Sequence, residues 1–413
     1  MTASSSPSSF SSSATAAASG PLKGIRVLDL TAVVLGPIAT QILADFGADV
    51  IKIEPPEGDM MRANGISLHP GMSSIFLAVN RNKRSVCIDL KTPEGRAALH
   101  ALIPTVDVVV HNMRIPAVER LGLGYEQVSR VRPDIVYCAA VGFGQDGPHR
   151  DKPAFDDIVQ AGCGLVGLNS TAGHEEPDYV PSLIADKTAG LAVSNAIMAA
   201  LLHRATTGQG QYVEVPMLET MAAFVMAEHM GGLTFRGSTV KAGYPRLLEG
   251  GRRPARTQDG WIAMLPYTNK HWRAFFDAVA RQDLSEHYDI EDRHNRNARI
   301  RELYAHLREL SPQKTTAQWM ALCEQLDIPA TPIYTPDDLP AHPHLQAVGL
   351  FQDAEHPTEG PIRQMRPTTR FSATPANVYR QAPTIGQHTE EVLREAGLGA
   401  AEIEGLQRKR AIV

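Results

Sequence analysis

The stretch GIRVLDLTAVVLGPIATQILADFGADVIKIE, residues 24–54, reads as strand, helix, strand. Gly24–Leu30 is an apolar run of strand length, Pro37–Phe46 is a helix entered through a Gly-Pro turn, and Asp49–Glu54 is a second strand closed by Pro55-Pro56. Two strands joined through a helix pair in parallel with a right-handed crossover, so the stretch predicts an α/β fold. Glu54 ends the second strand where a dinucleotide-binding fold places its ribose-holding acid. The first turn, Thr31 to Pro37, lacks the glycines that let a pyrophosphate approach the backbone, and a nicotinamide dehydrogenase is rejected on that ground.

Further alternating elements follow. A strand Val86–Leu90, a helix Pro93–Leu102 and strands Val106–His111, Asp134–Val141 and Tyr212–Pro216 predict a doubly wound sheet with a ligand crevice at its carboxyl ends. Lys83, Arg84, Asn112 and Arg120 are assigned to loops at that crevice, either as solvated surface residues or as a clamp for a phosphorylated ligand. Gly142-Phe-Gly-Gln-Asp-Gly147 follows a strand, but Pro148 comes next and no helix opens. It therefore reads as a glycine-rich site loop, not a dinucleotide fingerprint. Asp156 and Asp157 are adjacent, so on a helix they point about 100° apart, which favours capping or surface roles over an acid–base couple.

Pro181–Gln211 places Asp186 at the start of a long helix, with Leu191, Ser194, Ile197, Met198, Leu201 and Leu202 forming one stripe and Gly208 ending it. Asp186 is expected at or near the N-cap, accepting backbone N–H bonds. A carboxylate held ionised there is either a cap or, in the right cleft, a covalent nucleophile.

At 413 residues two structural units are expected. Residues 1–20, nearly all Ser, Ala and Thr, predict a disordered tail with neither the basic start of a secretory signal nor the arginines of a transit peptide. Residues 21–225 and 335–413 are assigned to a large domain and 226–334 to a smaller α/β unit. Gly250-Gly251 in the second is either a plain turn or a mobile lid. The net charge of −5 carries no nucleic-acid footprint, and no run nears the roughly 18 apolar residues of a membrane span. The four cysteines are scattered without a CxxC pair, and His342 and His344 flank a proline without a third ligand, so no metal is expected. A reduced cytoplasmic enzyme is the reading these features support.

Several segments together resemble the class III CoA-transferase family (CaiB/BaiF type), which also includes carnitine CoA-transferase-like enzymes and alpha-methylacyl-CoA racemase. They are LDLTAVVLGPIATQILADFGADVIKIEPPEGD, NRNKRSVCIDLKTPEG, the GFGQDGP loop with PAFDDIVQA, LIADKTAG with TTGQGQYVEVPMLE, and GQHTEEVL. The resemblance runs from about Pro21 to the C-terminus. It implies a Rossmann-like open parallel sheet in a large domain completed by the C-terminal segment, a smaller domain inserted late, and an interlocked homodimer. It implies Asp186 as nucleophile, coenzyme A thioesters as substrates and no prosthetic group. It also implies CoA contacts at Val33, Val34, Leu35, Arg62, Asn82, Lys83, Arg84, Asn112, Met113 and Arg120. Backbone N–H groups at the Asp186 helix start, at Gly142, Gly144 and Gln145, with the Gly250-Gly251 pair nearby, are expected around the oxyanion. Where some transferases have a lysine and a tyrosine this chain has Val141 and Phe143. Where the racemase branch has a histidine before the aspartate it has Phe155. The expected reaction moves CoA from an acyl-CoA donor to a free carboxylic acid, with a racemase or a non-catalytic CoA-binding protein as the alternatives.

Overall fold

The computed structural model describes residues 17–171, 176–249 and 251–413. The expected tail, 1–20, lies outside them except for its last four residues. Those four are not a loose end, because the Ser19 hydroxyl donates to the Pro375 carbonyl (2.6 Å) and Gly20 is buried.

The described chain divides into two units. Unit one takes the chain up to Cys163, Tyr179–Phe224 and Gly349–Val413; unit two takes Gly164–Asp178 and Val225–Val348. The late boundary falls beyond the 334/335 division expected, because the helix Pro343–Ala347 belongs with unit two.

Unit one is built on six strands: β1 (Arg26–Leu30), β2 (Asp49–Glu54), β3 (Lys83–Cys87), β4 (Val108–His111), β5 (Val136–Val141) and β6 (Gln211–Pro216). They pair in the order β3-β2-β1-β4-β5-β6, every neighbour parallel. The order reverses beside β1, and in such sheets the crevice outside the carboxyl ends at the reversal is where ligands bind. Three helices position what lies there: α1 (Leu35–Asp45), α2 (Asp156–Gly162) and α3 (Ile184–Thr207).

The central strands are buried on both faces, and β1 and β2 carry Asp29 and Lys52 among their Val, Ile and Leu, each met by buried partners. Leu28, Ile51, Val86 and Val109 pack with Val392, Leu393, Ile403 and Ile412 of the returning C-terminal segment. An isolated bridge between Ile88 and Ile412 ties that return to the end of β3. No helix among the described residues is long and apolar enough to cross a membrane. All four cysteines are buried free thiols.

One strand differs from expectation for a physical reason. β3 begins at Lys83, not Val86, so Lys83 and Arg84 are strand residues and not loop residues. Both are buried and paired: the Lys83 Nζ lies 3.2 Å from Asp29, and Arg84 bonds Asp49, Glu391 and Glu395 at 2.5–3.1 Å. Charged residues hide a strand from hydropathy reading, although buried cations are stable where carboxylates answer them.

Unit two has its own core, in which Trp272, Phe275, Phe276 and Trp319 pack with Leu303 and Leu307 beside a three-stranded antiparallel sheet. Two of its helices matter below, α4 (Arg293–Ala298) and α5 (Ile300–Leu310).

Candidate active site

A cavity of about 460 Å³ opens at the carboxyl ends of the unit-one strands. The turn after β1 supplies Ala32 and Val33, the first residue of α1 is Leu35, the turn after β4 supplies Asn112 and Met113, and β5 with the loop beyond supplies Val141, Gly142 and Gln145. Asp186 lies in its lining, from the first turn of α3.

Two local devices shape the first turn. Val33 adopts φ 73°, a left-handed conformation that is costly for a β-branched residue. It is held by its N–H donating to Asp59 (3.2 Å) and by a reciprocal pair between Ala32 and Asn112: Ala32 N–H to Asn112 Oδ1 at 3.0 Å, and Asn112 Nδ2 to Ala32 O at 2.8 Å. Asn112 therefore positions the cavity wall as well as lining it. Close approach of α3 to α1 is the second device. A Cβ on Gly190 would stand 2.3 Å from Ile38 and 2.7 Å from the Leu35 carbonyl, so only glycine lets α3 sit there and bring Asp186, one turn earlier, beside Leu35.

Asp186 is the third residue of α3, and Leu183 is its N-cap. Its N–H donates to Asp156 Oδ1 at 2.9 Å, and the other Asp156 oxygen accepts from Gln160 at 2.6 Å. Gln160 Oε1 in turn accepts the Val180 N–H at 3.0 Å, which fastens α2 to the segment leading into α3. The aspartate pair that the sequence left as caps or surface residues is thus divided. Asp156 is buried at the α2 start and orients the Asp186 backbone, while Asp157 is exposed.

The electrostatics overturn one expectation. Asp186 is only 8% exposed, and burial, then the charges of Asp156 and Asp157, push its carboxyl up to about 7. The helix N-terminus does not hold it firmly ionised, because desolvation and two acidic neighbours outweigh the partial charge there. Lys187, next in sequence, turns to the Ser182 hydroxyl (2.6 Å) and leaves that charge unanswered.

The other expected residues fall into groups. Val33, Leu35, Asn112, Met113, Gly142 and Gln145 line the cavity; Val34 is buried as the α1 N-cap. Arg62, Asn82, Lys83 and Arg84 are engaged inside the fold. Arg62 forks onto Glu54 at 2.6 and 2.7 Å and lies 3.8 Å over the Phe76 ring, which also occupies the acid that once suggested a ribose ligand. Asn82, at φ 61°, bonds Asp45 and the 377–380 backbone. Arg120 is exposed at the end of the helix Ile115–Arg120 and is not in the cavity lining.

Of the loop donors, the Gly144 and Gln145 N–H groups already donate to Glu219 and Glu214, each at 2.9 Å. Gly142 serves by its size, since a Cβ there would lie 2.3 Å from Ala154. Gly251 belongs to unit two, where its carbonyl accepts from Arg308; Gly250 lies outside the described residues.

Sequence reasoning missed the cations that do face this space: Arg114, Arg150 and Lys152. The signal was a basic, proline-bounded loop directly after the glycine-rich one, HRDKP at residues 149–153. Phe155 lies in the lining at 59% exposure, and Phe143 is buried edge-on to His149 at 5.7 Å.

Comparison with known proteins places the chain in a family. The chain is 32% identical over 388 residues to the succinyl-CoA:glutarate CoA-transferase of Homo sapiens, covering 91% of this chain and 86% of that one. It is 33% identical over 407 residues to the succinate–glutarate CoA-transferase of Agrobacterium fabrum, covering 94% and 97%. The crystal structure of Rv3272 from Mycobacterium tuberculosis superposes with a TM-score of 0.78 at 29% identity, covering 90% of this chain and 99% of that one. Residues 22–389 match the family described as CoA-transferase family III, and the chain belongs to that family.

Proposed function

We propose that the protein transfers CoA from an acyl-CoA thioester to a free carboxylic acid through covalent intermediates on Asp186. The observation that carries this reading is a buried carboxylate with a raised pKa in a cavity that also presents Arg114, Arg150 and Lys152. A desolvated carboxylate is a stronger nucleophile when ionised, and a carboxyl pushed up to about 7 still reaches its ionised form near neutral pH.

The ionised Asp186 oxygen attacks the thioester carbonyl; the C–S bond breaks, giving an aspartyl mixed anhydride and CoA thiolate. The thiolate attacks the aspartyl carbonyl, releasing the donor acid as its carboxylate and leaving an aspartyl-CoA thioester. An acceptor carboxylate attacks that thioester to form a new anhydride and thiolate. Thiolate attack on the acceptor's carbonyl then gives the product thioester and free Asp186. Charge and atoms balance at each step without a redox partner. Developing oxyanions face the positive end of α3, and Arg114, Arg150 and Lys152 are suited to CoA phosphates and to a distal carboxylate. Relatives named for succinate and glutarate favour dicarboxylic acids as the acids exchanged.

Phe155 favours transfer over racemisation. Exchange at an α-carbon needs an acid and a base on opposite faces, and phenylalanine supplies neither. The family resemblance further supports a homodimer of interlocked chains. Trapping tests the covalent step: incubate the protein with succinyl-CoA, add hydroxylamine and map the modified peptide. Hydroxamate at Asp186 is expected, and hydroxamate at another carboxylate with Asp186 unmodified refutes the assignment. Rapid α-deuteration of a 2-methylacyl-CoA in deuterium oxide, with no transfer to any carboxylate, would establish the racemase instead.

A further inference from the structure

Unit two gathers arginines without acids to balance them. Arg296, on α4, is 5% exposed and its Nε has no hydrogen-bond partner. Arg246 likewise has its Nε and one Nη buried without partners, and its guanidinium stands 4.9 Å from the Tyr267 ring centre. Tyr304, on α5, is 3% exposed and its buried hydroxyl has no hydrogen-bond partner, and Asn297, the residue after Arg296, shares a cavity wall with Arg246. Arg252 and Tyr304 line one cavity of about 450 Å³; Arg246 lines another of about 470 Å³.

Among the described residues no carboxylate stands at ion-pair distance from Arg246, Arg252 or Arg296. Two acids near these elements are engaged with other arginines, Glu291 with Arg273 and Glu302 with Arg299. Glu249 lines the second cavity beside Arg246 but forms no ion pair there. Burying like charges together is costly, and leaving guanidinium N–H groups unbonded adds to the cost. A site of this kind is balanced by an anion with several acceptor oxygens, which a guanidinium fork holds in bidentate fashion.

We propose that Arg246, Arg252, Arg296 and Tyr304 form a binding site for an oxyanion, either a carboxylate of an organic acid or a phosphate group. Arg296 and Arg246 supply the fork donors, Arg252 adds charge from the first cavity, and the Tyr304 hydroxyl donates the remaining bond. The site stands apart from the argument for Asp186, and binding at it is read without any measurement of transfer.

Calorimetric scans of the full chain at fixed ionic strength test the proposal, comparing chloride with inorganic phosphate and with glutarate. One oxyanion at least should raise Tm above the chloride value by about 2–4 °C near saturation. The larger rise with phosphate identifies a phosphate group as the ligand, and with glutarate a carboxylate. Read in a background that carries Arg114→Gln, Arg150→Gln and Lys152→Gln, so that the cations of the Asp186 cavity cannot hold the anion, Arg296→Met and Arg246→Gln should each abolish the rise. Arg246 is only half buried, so its variant decides the matter even where Arg296→Met fails to fold. The proposal is overturned if neither anion exceeds chloride, or if the rise survives in the folded arginine variants.

Discussion

Asp186→Asn should stabilise the folded chain above neutral pH and leave its stability nearly unchanged in acid. Asparagine keeps the shape of the side chain and stands in for the protonated carboxyl. In the fold Asp186 titrates at about 7 instead of the ordinary 3.8, through burial and then Asp156 and Asp157. A group whose native pKa is raised binds its proton more tightly in the folded state. Its contribution is therefore fully present below the unfolded pKa and is lost as pH rises through the folded one. For the wild type the loss runs from about pH 4 to about pH 7. At about 1.4 kcal/mol per pH unit the whole interval amounts to about 4 kcal/mol, and water at the cavity mouth reduces it to roughly 2–3 kcal/mol. Scanning calorimetry of both proteins from pH 4.5 to pH 8 should show their Tm difference widening in favour of the variant, to about 3–6 °C at pH 8. A difference that does not change with pH, or a variant less stable than wild type at pH 8, would refute the reasoning, because Asp186 would then be ionised without strain in the fold.

Three further outcomes follow from the same geometry. If the ionised Asp186 is the nucleophile, kcat/KM for transfer rises with pH through about 7; Asp156→Asn removes a negative neighbour and moves that limb to lower pH, and an unmoved limb counts against the coupling. Gly190→Ala drives a methyl group to 2.7 Å from the Leu35 carbonyl, which should cost about 1–3 kcal/mol in denaturant unfolding and lower kcat at least ~10-fold by shifting α3; wild-type kcat would show that this close approach does not set Asp186. Glu54→Ala leaves the buried Arg62 unpaired and should cost about 3–5 kcal/mol in the same unfolding assay, whereas a loss under 1 kcal/mol would mean that Arg62 finds water or another acceptor.

What could be read from residues in order was what depends on neighbours in the chain. Asp49–Glu54 and Pro93–Leu102 occupy the spans read for them from the sequence, since burial on a sheet or helix face leaves an apolar repeat of fixed length. The βαβ reading of residues 24–54 likewise led to a parallel sheet, because a strand, helix and strand so spaced have few other ways to pack. Asp186 was also legible, as an acid at the start of a long helix within a recognisable motif. Which cations are available to a ligand was not legible, because that depends on carboxylates distant in sequence. Lys83 meets Asp29, Arg84 meets Glu391 and Glu395, and Arg62 meets Glu54, all inside the fold, while Arg114, Lys152 and Arg150, the last with only an exposed ion pair to Asp151 at 3.5 Å, line the cavity. Nor was the raised pKa of Asp186: a helix start alone favours the charged form. Only packing that removes water and brings Asp156 and Asp157 beside it, across 30 residues of chain, reverses the sign.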